Sequence, residues 1–99
     1  MSGWALSTEA QEDLTEAFVY GLLEFGEKQA RKYQAELQRT FDTIARFPQM
    51  ARLRAEFDPP VRVHHHGRHY IAYLPRKDDV FIIRVVRDEA DLSALFGPF

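Results

Sequence analysis

The sequence predicts an α+β domain (order β-α-α-β-β-β) with an N-terminal strand and an antiparallel helical hairpin that packs on one face of a small antiparallel sheet. Three observations predict this class. A chain of 99 residues has the length of one domain, so we treat residues 1–99 as a single unit. Apolar residues recur every three to four positions in the first half and every second position in the second half. The two helical patterns meet at Gly26 with almost no chain between them.

Composition and charge narrow the class of protein. Hydrophobic residues make up 45% of the chain and include eight Phe, four Tyr and one Trp, which is enough for a packed core. The formal net charge of -2 argues against binding through neutralised phosphates, so we expect no sequence-specific nucleic acid binding. The absence of cysteine excludes disulfides and thiolate metal sites. The sequence shows neither a signal peptide nor an apolar run of about 18 residues, so we expect a soluble cytoplasmic protein.

The first strand and the first helix are predicted within residues 4–25. Residues 4–6 form a short apolar stretch that predicts a strand. Thr8 and Gln11 fit a capping box, which predicts that a helix begins at this point. Gly26 ends that helix. Its apolar face consists of Ala10, Leu14, Ala17, Phe18, Gly21, Leu22 and Phe25.

The second helix is predicted to follow at once, from about residue 27 until Pro48 stops it. A turn as tight as the one at Gly26 forces the two helices to pack as an antiparallel hairpin. Residues 48–60 form a proline-bounded connection without a clean period. The apolar stripe of the second helix consists of Ala30, Tyr33, Leu37, Phe41, Ile44 and Ala45, and its solvated face of Lys28, Arg31, Lys32, Glu36 and Arg39.

Three strands are predicted to follow as a meander. Residues 61–66 and 69–74 flank Gly67 and Arg68, which fit a two-residue hairpin turn. Residues 80–86 form a third run rich in β-branched side chains, reached through a turn at 76–79. One short helical turn is predicted before Gly97.

Four histidines lie within residues 61–70. If the turn is at Gly67 and Arg68, alternation along the strands places His64, His66 and His69 on one face. Three imidazoles on one face is a geometry that zinc can use. No acidic or cysteine ligand lies near them in sequence, Tyr and Ile share the face, and imidazole also fits a half-buried strand. We therefore expect no metal site and no cofactor.

Two arginines begin or interrupt strand patterns, Arg62 and Arg84. Ile82 and Ile83 are adjacent, so the last strand carries apolar residues on both faces, whereas the helices can cover only one of them. We expect the other face to meet the C-terminal tail or another protein, with both arginines projecting there. The alternative is that Arg84 pairs with a local carboxylate such as Asp88.

Four stretches together carry a family resemblance, and they stand in the order "LSTEAQEDLTEAFVYGLLEFGEKQARKY", "LQRTFDTIARFPQMARLR", "VRVHHHGRHYIAY" and "IIRVVRDEADLSALF". Over almost its whole length the chain resembles the ParE branch of the RelE/ParE toxin superfamily of bacterial toxin–antitoxin systems. Arg62, Gly67 and Tyr73 occupy the family's places in the third stretch. Two positions depart from the pattern: Arg87 stands where the family often has His, and Ala90 where it often has Arg.

The resemblance implies a toxin that is not an enzyme, inhibits DNA gyrase and forms a hetero-oligomer with the antitoxin that neutralises it. A RelE-like, ribosome-dependent mRNA endonuclease is the first alternative, with Arg62, Arg84 and Arg87 contacting phosphate. RelE-like nucleases often use a tyrosine late in the chain, but here the last tyrosine is Tyr73. The tail also contains no set of side chains for general acid–base catalysis. The second alternative is an inactive relative that only binds antitoxins, which Ala90 and the acidic tail suggest.

The antitoxin is expected to lay an amphipathic helix against the helical hairpin and to continue as an extended stretch near the sheet. The tail at residues 92–99 is too short to cover all of the apolar surface that a two-faced sheet leaves. We also expect charge reversal at Arg84 to weaken the complex more than charge reversal at the exposed Arg39. The residues expected to contact the partner are Arg62, Tyr73, Arg84, Arg87, Leu92 and Phe96.

Overall fold

The computed structural model describes residues 3–97. The elements are β1 (Gly3–Leu6), α1 (Thr8–Phe25), α2 (Glu27–Arg46), β2 (Leu53–Arg54), β3 (Val61–His66), β4 (His69–Pro75), β5 (Asp79–Arg87) and α3 (Leu92–Phe96). The predicted α+β class and its order of strand, helical hairpin and sheet are confirmed. No helix among residues 3–97 is long and apolar enough to cross a membrane. Met1, Ser2, Pro98 and Phe99, the last two part of the predicted tail, lie outside the described residues.

The five strands form one sheet in the order β1-β5-β4-β3-β2. Strands β3 to β5 pair antiparallel, as predicted, and β2, which the sequence does not predict, pairs antiparallel with β3. Strand β1 pairs parallel with β5, so the sheet is mixed rather than antiparallel throughout. Strand β2 lies in the connection at residues 48–60. It is not recognisable in the sequence, because a two-residue strand is too short to show alternation. Strand β1 ends at Leu6, opposite Ile82, so within the described residues the edge of β5 beyond Ile82 is not paired with β1.

The start of α1 differs from the prediction by one residue. Ser7, rather than Thr8, is the N-cap, and its Oγ accepts a hydrogen bond from the backbone N–H of Ala10 over 2.9 Å. The same hydroxyl donates to the carbonyl of Ile83 over 2.6 Å. The N–H of Ser7 donates to the carbonyl of Ile82. These bonds to β5 fix Ser7 in the extended conformation that an N-cap requires.

The core lies between the helical hairpin and one face of the sheet. Gly26, with φ of 89°, ends α1 and allows α2 to begin at the next residue. Trp4 packs edge-on against Phe41, with ring centroids 5.0 Å apart. The buried cluster consists of Ala10, Leu14, Leu37, Phe41 and Ile44 of the helices, Ala51, and Ile71, Tyr73, Val80, Ile82 and Val85 of the sheet.

The second face of the sheet carries apolar side chains that are half-buried, including Tyr70, Leu74 and Phe81. Ala72 on this face is buried, and the Arg76 guanidinium lies 4.5 Å from the ring centroid of Phe81. His65 and Tyr70 pack with ring centroids 4.9 Å apart. Because the apolar side chains of this face are only half-buried, the expectation that it meets the C-terminal tail or another protein stays a prediction. The most exposed large apolar residues lie elsewhere: Val19, Tyr20, Leu22, Leu23, Phe25, Phe47, Met50, Leu53 and Leu95.

Candidate partner-binding site

The hairpin turn between β3 and β4 is held against α2 by Tyr33. The Tyr33 hydroxyl accepts a hydrogen bond from the N–H of Arg68 over 3.2 Å, and it lies 2.7 Å from Nδ1 of His69 and 3.3 Å from the carbonyl of His66. Burial raises the pKa of the Tyr33 phenol, so it acts as a neutral hydrogen-bonding group. Gly67 adopts φ of 57°, and a Cβ atom there would lie 2.7 Å from the hydroxyl. This geometry explains why glycine stands in the turn.

The predicted register of the histidine-rich hairpin is confirmed. His66 pairs with His69 and His64 with Ile71, so the three imidazoles share the face toward α2. Two of these imidazoles contact helix hydroxyls: Nδ1 of His66 lies 3.2 Å from Thr40 Oγ1, and Nδ1 of His69 lies 2.7 Å from the Tyr33 hydroxyl. Among residues 3–97, no three side chains of His, Asp or Glu are grouped to hold a metal ion.

A groove of about 280 Å³ opens between α1, α2 and the β3–β4 turn. Its walls are mainly apolar or aromatic, including Ala17, Tyr20, Gly21, Phe25 and Ala30. The α1 backbone can approach α2 closely at this point because Gly21 faces Ala30, with a hypothetical Cβ on Gly21 only 3.2 Å from Ala30 Cβ. The polar residues that line the groove are Gln29, Lys32, Tyr33, Gln34, Glu36, Arg68, His69 and Arg87.

Charge is unevenly distributed around this groove. The groove is lined by three cationic side chains, Lys32, Arg68 and Arg87, and by one carboxylate, Glu36. His69 is buried, and burial lowers its pKa, with the neighbouring Arg87 acting in the same direction, so the imidazole is neutral at pH 7. The groove therefore combines an apolar lining with a net positive rim.

Arg87 lies at the junction of this groove with a second cavity of about 380 Å³ that runs along α1 to Arg84. Its guanidinium carbon lies 4.3 Å from the ring centroid of Tyr20, a cation–π distance. Its Nε lies 2.6 Å from Glu89 Oε1, but the geometry is not that of a hydrogen bond. Within residues 3–97 this buried Nε has no hydrogen-bond partner.

The C-terminal half of α1 exposes a contiguous apolar segment beside the groove, which we call the α1 tip (residues 19–25). Leu23 is 82% exposed and Phe25 62% exposed, and both lie beyond the buried residues of α1, Ala10 and Leu14. The sequence interpretation assigned one face of α1 to the core and missed this surface. The signal was present in "AFVYGLLEF", which is apolar all round the helix rather than on one stripe.

Two of the residues expected to bind a partner are occupied inside the domain. Tyr73 is fully buried, and its hydroxyl donates to the carbonyl of Pro48 over 2.8 Å, so its expected role at a partner surface is wrong.

Arg84 does not project freely from the sheet. Nε and Nη2 of Arg84 donate to the two carboxylate oxygens of Asp13 over 2.7 and 3.0 Å. The alternative of a paired Arg84 is the correct one, although Asp88 instead contacts His65 at 3.1 Å.

The other residues expected to contact a partner lie in different parts of the structure. Arg62 is half-buried and donates through Nη1 to the carbonyl of Ala51 over 2.6 Å. Phe96 packs on the buried Phe57, with ring centroids 5.7 Å apart, and therefore anchors α3. Leu92 is partly exposed at the start of α3. Of the six expected residues, Arg87 is the one that the structure places in the groove.

Comparisons with known proteins agree on one family. A family model described as the ParE toxin of the type II toxin–antitoxin system parDE matches residues 5–92. Toxin ParE from Escherichia coli is 27% identical over 93 residues, which cover 93% of this chain and 90% of that protein. A solved structure titled as the chromosomal ParDE TA system from P. aeruginosa has a TM-score of 0.75 at 16% identity, and the match covers 90% of this chain and 98% of that one.

Proposed function

The chain belongs to the ParE toxin family of type II toxin–antitoxin systems, and from this membership we propose that it inhibits DNA gyrase and is neutralised by a cognate antitoxin. The observation that carries the proposal is the family match over residues 5–92, which begins within β1 and reaches the first residue of α3. The gyrase target follows from the resemblance to this family.

The surface of the helical hairpin supports an antitoxin as partner. The α1 tip exposes large apolar side chains next to an apolar groove, an arrangement typical of a protein–protein interface. An amphipathic antitoxin helix laid against the hairpin would cover both. Such a segment, disordered alone, would fold on binding and depend on a few apolar anchors.

Binding rather than catalysis is the mode of action that the side chains favour. A ribonuclease would need several basic groups and a proton donor directed at one phosphate. Arg62 bonds to the carbonyl of Ala51, Arg84 is paired with Asp13, and Tyr73 is buried. These residues are held by separate segments of the chain, which supports a toxin that acts by occupying its target.

A gyrase assay tests the proposed target. Purified protein added to DNA gyrase and relaxed plasmid should block ATP-dependent supercoiling, and pre-incubation with the protein encoded by the adjacent reading frame should restore it. Leu37→Ala, which removes a fully buried side chain, provides a control for the need for a folded toxin. Undiminished supercoiling at toxin in excess over gyrase would contradict the proposal.

Expression in cells separates the alternatives. Gyrase inhibition should induce the DNA damage response before translation slows. A ribosome-dependent endonuclease would instead stop translation first and cut mRNA on ribosomes. Normal growth together with tight antitoxin binding would identify an inactive relative, the case that Ala90 suggests.

A further inference from the structure

We propose that Arg87 selects the partner of this chain by binding a carboxylate of an acidic amphipathic segment, whose apolar side chains enter the groove. This inference rests on the proposed function, because it takes the partner to be the antitoxin. It adds the residue of this chain that recognises the partner, Arg87, and the chemical group that this residue binds, a carboxylate.

Charge complementarity determines the class of partner. The groove carries the cations Lys32, Arg68 and Arg87 against the carboxylate Glu36, and burial keeps His69 neutral. The chain as a whole has a net charge of -2, so the groove is a positive site on an otherwise acidic protein. A basic segment would be repelled there, whereas an acidic one gains in association rate and in register.

Arg87 differs from other arginines in how its donors are used. Well-aligned carboxylate hydrogen bonds occupy Arg84 through Asp13, Arg76 through Asp79, Arg54 through Glu56 and Arg31 through Glu27. Nε of Arg87 is close to Glu89 Oε1 but makes no hydrogen bond with it. Because its Nε donor is unused and its guanidinium is planar, Arg87 can bind a carboxylate through two parallel hydrogen bonds once Glu89 moves aside.

The neighbours of Arg87 keep it available at little energetic cost. The Tyr20 ring holds the guanidinium in place by a cation–π contact at 4.3 Å. The side chain of Glu89 is 68% exposed, and an ion pair with such an exposed carboxylate contributes little to stability. A partner carboxylate can therefore replace Glu89 while Tyr20 continues to orient the Arg87 guanidinium.

The position of Arg87 allows it to fix the register in which the partner segment binds along the groove. The groove and the second cavity share Ala17, Tyr20, His69 and Arg87 as lining residues. A carboxylate bound to Arg87 would lie where the two cavities meet. The apolar side chains that precede or follow it in the partner would reach Tyr20 and Phe25 in the groove.

A binding titration tests the proposal, with the purified antitoxin encoded by the adjacent reading frame as the probe. Arg87→Glu should weaken the complex about 30-fold or more, because it removes a hydrogen-bonded charge pair and adds a like charge. Arg39→Glu, on the exposed face of α2, is the matched control and should change the affinity by less than about threefold. Thermal melts establish that each variant is folded. If Arg87→Glu fails to fold, Arg87→Gln replaces it, with an expected loss of about tenfold.

A charge swap distinguishes recognition from general disruption. Each acidic residue in the C-terminal segment of the antitoxin is changed to Lys in turn. One such variant should bind the Arg87→Glu toxin more tightly than the unmodified antitoxin does. Normal affinity of Arg87→Glu, or the absence of any rescuing swap, would overturn the inference but leave the proposed function standing. Failure of the unmodified toxin to bind the antitoxin would instead overturn the proposed function.

Discussion

Among single residues, Asp13 links more parts of the structure than its place on a helix surface suggests. Its carboxylate accepts two hydrogen bonds from Arg84 and one from the N–H of Val85, at the edge of β5 that β1 does not cover. The pKa of Arg84 is raised, chiefly by its hydrogen bonds to Asp13, so the guanidinium stays positively charged. An unpaired sheet edge is thereby blocked by a charged side chain.

Asp13→Ala should lower the free energy of unfolding by about 1–3 kcal/mol, because it leaves the Val85 N–H and the Arg84 guanidinium without their acceptor. Urea denaturation measures the change. Glu27→Ala is the control, since the Glu27–Arg31 pair is exposed on both sides and should contribute no more than about 0.5 kcal/mol. Equal losses in the two variants would mean that the Asp13 contacts are not structural.

Protonation of His69 should make stability depend on pH. Burial lowers the pKa of His69 in the folded chain below its usual value near 6.5. The unfolded chain therefore takes up a proton first as the pH falls, and the free energy of unfolding decreases below about pH 6.5 until the folded pKa is reached. Between pH 7.5 and 5.5, His69→Asn should lose less stability in urea denaturation than the unmodified protein. His65→Asn, at an exposed position, serves as the control, and the same pH profile for all three proteins would refute the prediction.

At the scale of elements, local signals predicted most of the fold. The change of period from 3.6 to 2 located both helices and all three strands of the meander, and the turn at Gly67 gave the register of β3 and β4. Contacts between distant residues could not be predicted in this way. Ser7 caps α1 because it is tied to Ile83, 76 positions away, and Arg84 finds Asp13 rather than the nearer Asp88. A single sequence does not rank one carboxylate above another for a partner so far along the chain.

The β3–β4 turn should tolerate no side chain at position 67 while Tyr33 is present. Gly67→Ala combines a left-handed φ of 57° with a Cβ that would lie 2.7 Å from the Tyr33 hydroxyl. We expect it to destabilise the protein by about 2 kcal/mol or more, of which roughly 1 kcal/mol is backbone strain. In a Tyr33→Ala background the additional cost of Gly67→Ala should fall to the strain alone, as measured by a double-mutant cycle in urea. An unchanged cost would show that the two residues do not interact.

At the scale of the whole molecule, the hydrophobic side chains divide into two sets. The first set is buried between the helices and the sheet and includes Leu37 and Phe41. The second set lies on the α1 tip, which continues past the last buried residue of α1, Leu14, and presents Leu22, Leu23 and Phe25 to solvent. The first set stabilises the fold, and the second set is available to a partner at no cost to folding. The sequence interpretation did not separate these sets, because it assigned the apolar residues of α1 to a single core-facing stripe although residues 17–25 are apolar all round the helix.

The two sets should respond oppositely to truncation. Leu37→Ala, in the core, should lower the free energy of unfolding by about 2–5 kcal/mol. Leu23→Ala should change it by no more than about 0.5 kcal/mol, because Leu23 is 82% exposed. If the α1 tip contacts the antitoxin, Leu23→Ala should nevertheless weaken that complex roughly fivefold or more, the loss of about 1 kcal/mol that marks an energetically important interface residue. Urea denaturation and titration with the antitoxin from the adjacent reading frame measure the two quantities on the same variants. A Leu23→Ala protein that is stable and binds with unchanged affinity would place the antitoxin helix away from the α1 tip, since an apolar anchor of this size cannot be buried in an interface without contributing to it.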